Sequence, residues 1–119
     1  MYLFLVLFLL INITTQTSPA NKKKQRKYDR EWKSKRGDCL RNQCASIHID
    51  ENDNCLNKCT SNNCYNEIYG QHNGGELEPG EVDSTRWHRF QRCVRGEIKQ
   101  RIKDKWTAAR IAQQQKTQL

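Results

Sequence analysis

The sequence predicts a mainly α protein: a small disulfide-rich helical domain with a long amphipathic helix towards its C-terminal end. Three observations predict it. From Trp87 onward the apolar side chains are Trp87, Phe90, Val94, Ile98, Ile102, Trp106 and Ala109. Separations of three and four residues follow a helical period and not the alternation of a strand. The chain carries six cysteines in 119 residues. Past Ala20, only 13 of the 99 remaining residues are Leu, Ile, Val or Phe, below the roughly 20% at which a highly charged chain tends towards disorder. So thin a core cannot by itself offset the entropy of ordering the backbone, and cross-links are expected to supply the difference.

The N-terminal stretch Leu3 to Ile13 is almost continuously apolar. It is too short to span a bilayer, which takes about 20 apolar residues. It fits the hydrophobic region of a signal peptide, with the small residues Ser18 and Ala20 placing cleavage after Ala20. Residues 1–20 are therefore read as a signal peptide and the protein as secreted. The opposing feature is charge: no Lys or Arg precedes the apolar run, and Lys22-Lys23-Lys24 follows it. That order would favour a retained signal anchor. Export and cysteine content support one another, because an oxidising compartment is where disulfides persist.

Charge is divided along the chain. Residues 21–41 hold ten Lys and Arg against three Asp and Glu; residues 42–85 hold one against eight; residues 86–119 hold ten against two. The net charge of +8 is thus two basic flanks around an acidic middle. The flanks can neutralise the middle internally, or present a basic surface to polyanions, and the two readings are compatible.

Residues 21–36 begin without an apolar side chain and are expected to be a basic, mobile arm. A helix from about Tyr28 towards Cys44 would put Tyr28 and Trp32 on one face, with Gly37 as its weak point. Lys35-Arg36 and the Lys22 to Lys27 run are dibasic; a solvated basic face is favoured over convertase processing. Residues 37–98 are read as the stapled domain. Ile47-His48-Ile49-Asp50 alternates too briefly to define a strand. Asp53 or a neighbour should cap a helix running towards Tyr69, with Asn62-Asn63 as a candidate interruption. Gly70 to Gly80 is a loop. Asp83-Ser84-Thr85 is the strongest helix start, and that helix should reach about Gln113, roughly 40 Å. Its extension and polar tail, residues 99–119, are longer than a small core needs.

The cysteines are Cys39, Cys44, Cys55, Cys59, Cys64 and Cys93. No C-x2-C pair occurs, and His48, His72 and His88 are scattered, so disulfides are favoured over a metal site. Cys55 and Cys59 lie one turn apart on one helix face, so each should bridge to another element. If the segments bearing Cys39/Cys44 and Cys55/Cys59 pack antiparallel, the nested pairs are Cys44–Cys55 and Cys39–Cys59. Cys64–Cys93 then remains.

Between Cys55 and Cys93 the ordered features are Cys55, Cys59, Ser61, Cys64-Tyr65, Ile68-Tyr69, Leu77-Glu78-Pro79-Gly80-Glu81-Val82-Asp83, Arg86, Phe90 and Cys93. Over these residues the chain resembles a family of small, secreted, six-cysteine domains of unknown function found in animals and plants. The resemblance covers about 40 residues, with Cys39 and Cys44 as the upstream pair. It implies a secreted disulfide-stabilised domain and no activity.

Several functional readings follow. The long helix is the leading interaction candidate, through Arg95, Lys99, Ile102, Lys103, Trp106 and Arg110, because Ile102, Trp106 and Ile111 have no obvious partner in the chain. The favoured function is a secreted binding protein for an unknown protein or an extracellular polyanion. An alternative is a cationic membrane-active or antimicrobial effector lying on an anionic membrane surface through this helix. Export disfavours nucleic acid as a native partner. A second alternative is a calcium-dependent hydrolase using Glu76, Glu78, Glu81 and Asp83, although their spacing is not that of an EF-hand. Helix capping and pairing with basic side chains account for these carboxylates more simply. No catalytic constellation, cofactor motif or metal-ligand pattern is found, and an enzyme is not expected.

Overall fold

The computed structural model describes residues 18–118. Its four α-helices are α1 (Pro19–Arg41), α2 (Asp53–Thr60), α3 (Asn62–Tyr69) and α4 (Ser84–Thr117), with a single 3-10 turn at Gln71–Asn73. Among the described residues there is no strand, and Ile47 to Asp50 passes from a bend into a turn. Residues 1–17, which hold nearly all of the expected signal peptide, lie outside the described residues. The expected cleavage point after Ala20 falls in the first turn of α1.

α1 starts with Pro19, whose fixed backbone angle and missing N–H suit the first helical turn. It contains no β-branched residue and is rich in Lys, Arg, Gln and Glu, which lose little freedom in a helix. The expected mobile arm at residues 21–36 is therefore helical, continuous with the segment bearing Cys39. Two side chains dock it: Trp32 is buried, and Tyr28, four residues earlier, packs against the same core. Only the part before Tyr28 is exposed throughout.

α2 and α3 divide at Ser61, one residue before the expected Asn62-Asn63 interruption. Ser61 is extended, and its hydroxyl accepts a hydrogen bond from the Cys64 backbone N–H at 3.1 Å. This N-cap ends one helix and starts the next at a new angle. α4 is capped by Asp83, whose carboxylate accepts from the Arg86 N–H at 2.9 Å. It is 34 residues long, roughly 50 Å, and continues past Gln113 because the glutamines and Lys116 contain no breaker.

α1 and α4 pack antiparallel: Asp29 meets Arg95, and Trp32 meets Trp87 edge-on at 5.8 Å between ring centroids. The main core lies where α3 crosses them, with Trp32, Tyr65, Ile68, Tyr69, Phe90, Val94 and Ile98 buried. A smaller cluster of Leu56 and four cysteines joins α1 to α2. The disulfides are Cys39–Cys59, Cys44–Cys55 and Cys64–Cys93. The first two are nested across the antiparallel α1 and α2 segments. The third fastens α3 to α4 inside the main core.

Candidate interaction surface

Four carboxylates of the acidic middle, Asp53, Glu76, Glu81 and Asp83, are paired with Arg36, Lys58 and Arg86. Arg86 is the centre of this arrangement. Its Nε donates to Asp83 at 2.6 Å and its Nη2 to Glu81 at 3.2 Å. Its Nη1 donates to the carbonyls of Gly75 at 2.7 Å and Asn73 at 3.2 Å, and the guanidinium lies over the Tyr69 ring. The Arg86 backbone N–H and side chain hold the Asp83 carboxyl below the usual carboxylate range. Lys58 reaches Glu76 at 2.6 Å and lowers its pKa in the same way. Asn54 closes the loop from the other side. Its amide donates to the Leu77 carbonyl at 2.7 Å, and its oxygen accepts from the Leu77 N–H at 3.0 Å and the Tyr65 hydroxyl at 3.2 Å.

Glu76, Glu81 and Asp83 are thus already paired, and Glu78 is exposed. A hard cation would have to displace Lys58 and Arg86 to collect these carboxylates. Among the described residues no group of three or more His, Cys, Asp or Glu side chains could hold a metal ion. All six cysteines are in disulfides, so none is a free thiol.

Arg36, from α1, is the second internal cation. It donates to Asn57 at 2.5 Å and to Asp53 at 3.0 Å, and lies over the Trp87 ring at 4.9 Å. Burial lowers its pKa, against the pull of Asp53. The dibasic Lys35-Arg36 therefore sits within a packed helix. Trp87, Arg36 and Asp53 also line a cleft of about 210 Å³ beside Val82, which is exposed.

The six residues expected on the interaction face separate into two groups. Arg95 does not face solvent freely: its Nε donates to Asp29 on α1 at 2.6 Å. Burial opposes ionisation of Asp29, but the hydrogen bonds from Arg95 and Trp32 outweigh it and hold the carboxyl below its usual range. Ile102 has a partner after all, packed against the core edge formed by α1 and α4. Lys99, Lys103, Trp106 and Arg110 are exposed, Trp106 at 71%.

The apolar stripe explains this division. An α-helix turns about 100° per residue, so side chains spaced by four advance about 40° around the helix at each step. From Phe90 to Trp106 this accumulates to about 160°, and the stripe winds off the core. Ile111, 50% exposed, stands about 180° from Ile102. It does not extend the same face.

Sequence spacing did not show that the opposite wall of this surface is α1. Lys27 and Glu31 face Arg101, Ile102, Lys105, Trp106 and Ala109 across a notch of about 370 Å³. Arg101 is ion-paired with Glu31 within this lining. Beyond this pair, Lys22, Lys23, Lys24, Arg26 and Lys27 on α1 make no ion pair with the described residues. The same holds for Lys99, Lys103, Lys105 and Arg110 on α4. Tyr28 and Trp32, four apart, were the signal that this arm would dock and bring its lysines to α4.

The family model of a domain of unknown function (DUF4787) matches residues 29–93. The match contains all six cysteines, Arg36 and Arg86. The basic ends of α1 and α4 lie outside it. No curated protein and no solved structure matches the chain.

Proposed function

This chain belongs to the DUF4787 family, a domain of unknown function, and we propose that it is an exported, disulfide-stabilised binding protein that engages an anionic partner through the basic ends of α1 and α4. The observation that carries the reading is the placement of its unpaired cations. Asp53, Glu76, Glu81 and Asp83 of the middle are matched by Arg36, Lys58 and Arg86, and Asp29 of α1 by Arg95. Of the cations without an ion pair, Lys22, Lys23, Lys24, Arg26 and Lys27 cluster on the exposed start of α1 and Lys99, Lys103, Lys105 and Arg110 on the exposed half of α4, more than stand on the body between them. Such a field attracts polyanions and is reduced by salt. Three disulfides support folding in an oxidising compartment. Among the described residues no helix is long and apolar enough to cross a membrane.

The partner class this favours is an extracellular polyanion or an acidic protein. Membrane insertion through α4 is less favoured, because an interfacial helix needs a continuous apolar face and here Ile111 stands opposite Ile102. Hydrolysis by the acidic loop is also less favoured, since its carboxylates are engaged by Arg86 and Lys58. Heparin chromatography alongside dye release from vesicles of phosphatidylserine and phosphatidylcholine tests the reading. Salt-reversible heparin retention without dye release is expected. Dye release from a protein that heparin fails to retain would overturn it.

A further inference from the structure

The notch between the two helix ends combines charged and apolar lining. Lys27 and Lys105 line it together with Ile102, Trp106 and Ala109, three side chains that share one face of α4. Trp106 is 71% exposed, although an aromatic of this size is among the side chains that contribute most when covered at an interface. A purely ionic ligand would engage the lysines and gain nothing from the apolar lining. A second copy of the chain would bring the same cluster of cations against its own. A membrane would meet the winding, discontinuous apolar face of α4.

We propose that this notch seats an apolar side chain from an acidic amphipathic helix of a protein partner. The partner's carboxylates would face Lys27 and Lys105, and its apolar stripe would cover Trp106. Recognition of an amphipathic helix by a groove is a recurring mode in which one or two apolar anchors supply most of the affinity. Charge complementarity selects the acidic member of that class. Arg101 and Glu31, also in the lining, neutralise one another, so Lys27 and Lys105 are the lining cations left to meet the partner's carboxylates. The proposal rests on the anionic-partner reading above and narrows it to a protein ligand.

The test uses the full disulfide-bonded protein and two synthetic helical peptides of equal length and charge. One is glutamate-rich with leucines along one face; the other has those leucines replaced by glutamine. Calorimetric titration is expected to show the leucine peptide binding roughly tenfold or more tightly. Trp106→Ala should abolish that preference while leaving heparin elution unchanged, and Trp106→Phe should restore part of it. Equal binding of the two peptides, or a preference that survives Trp106→Ala, would overturn the notch as an apolar seat. Failure of heparin to retain the unmodified protein would instead remove the charge-based reading beneath it.

Discussion

Arg86 joins the start of α4 to the glycine-rich loop through Asp83, Glu81 and the carbonyls of Asn73 and Gly75. Its fork geometry cannot be reproduced by an ammonium group. Arg86→Lys is therefore expected to lower unfolding free energy by about 2 kcal/mol, read from the urea midpoint. A change within error would mean that Asn54 and Lys58 hold the loop without Arg86. Protonation acts on the same contacts. Asp29, Glu76 and Asp83 have lowered pKa values in the folded protein. Their stabilising contributions are complete above the ordinary carboxylate range and are lost as pH falls through the folded values. Urea midpoints should hold steady near neutrality and drop below about pH 4. At the alkaline end, burial first and Glu76 second push the Tyr65 hydroxyl up to about 12. Stability should fall as pH rises through the interval between about 10 and that value, and Tyr65→Phe should flatten that fall. These roles were only partly legible beforehand. Spacing marked Asp83 as a cap, but an arginine on a basic helix has the same sequence signature whether it faces water or closes a loop.

Among the elements, α4 was the most legible and also the most instructive. Its period, its start at Asp83 and its great length are all written in the spacing from Trp87. Its contacts are not, because strict four-residue spacing carries the stripe around the helix and away from the core. That drift is why Ile102 is packed and Trp106 is exposed. In α1 the spacing of Tyr28 and Trp32 marks the docking side of the helix from Tyr28 onward, whereas the composition of residues 21–27 gives no sign that the helix begins as early as Pro19. Gly96 lies within α4, and an added Cβ would meet no atom within 4 Å. Gly96→Ala should stabilise the protein by about 1 kcal/mol, seen as a raised melting temperature. Unchanged or reduced melting would indicate that α4 needs that point to bend. The Cys64–Cys93 bond closes a separation of 29 residues, worth about 3 to 4 kcal/mol in the chain-entropy treatment. Replacing both cysteines by alanine should cost an amount of that order, with the loss concentrated between α3 and α4 in hydrogen exchange.

At the scale of the whole molecule, the division of charge along the chain becomes a division in space. The acidic middle folds against part of the basic flanks; the remaining cations lie partly on the exposed ends of α1 and α4 and partly on the body, at Arg30, Lys33, Lys35, Arg89 and Arg92. The internal reading of the charge pattern holds for Arg36, Lys58 and Arg86, which pair with carboxylates of the middle; the proposed partner would draw on Lys22, Lys23, Lys24, Arg26 and Lys27 of α1 and on Lys99, Lys103, Lys105 and Arg110 of α4. Linear sequence could not separate the two sets, because the separation depends on which cations the antiparallel packing brings to Asp29, Asp53 and the glycine-rich loop.

The most direct test is to remove equal charge from the two places. One variant carries Lys22→Gln, Lys23→Gln, Lys27→Gln and Lys105→Gln at the helix ends. The other carries Lys33→Gln, Lys35→Gln, Arg89→Gln and Arg92→Gln on exposed positions of the body. The salt concentration at which each elutes from heparin is then compared with that of the unmodified protein. The account predicts a large drop for the first variant and a small one for the second. Equal drops, or a larger one for the second, would contradict it.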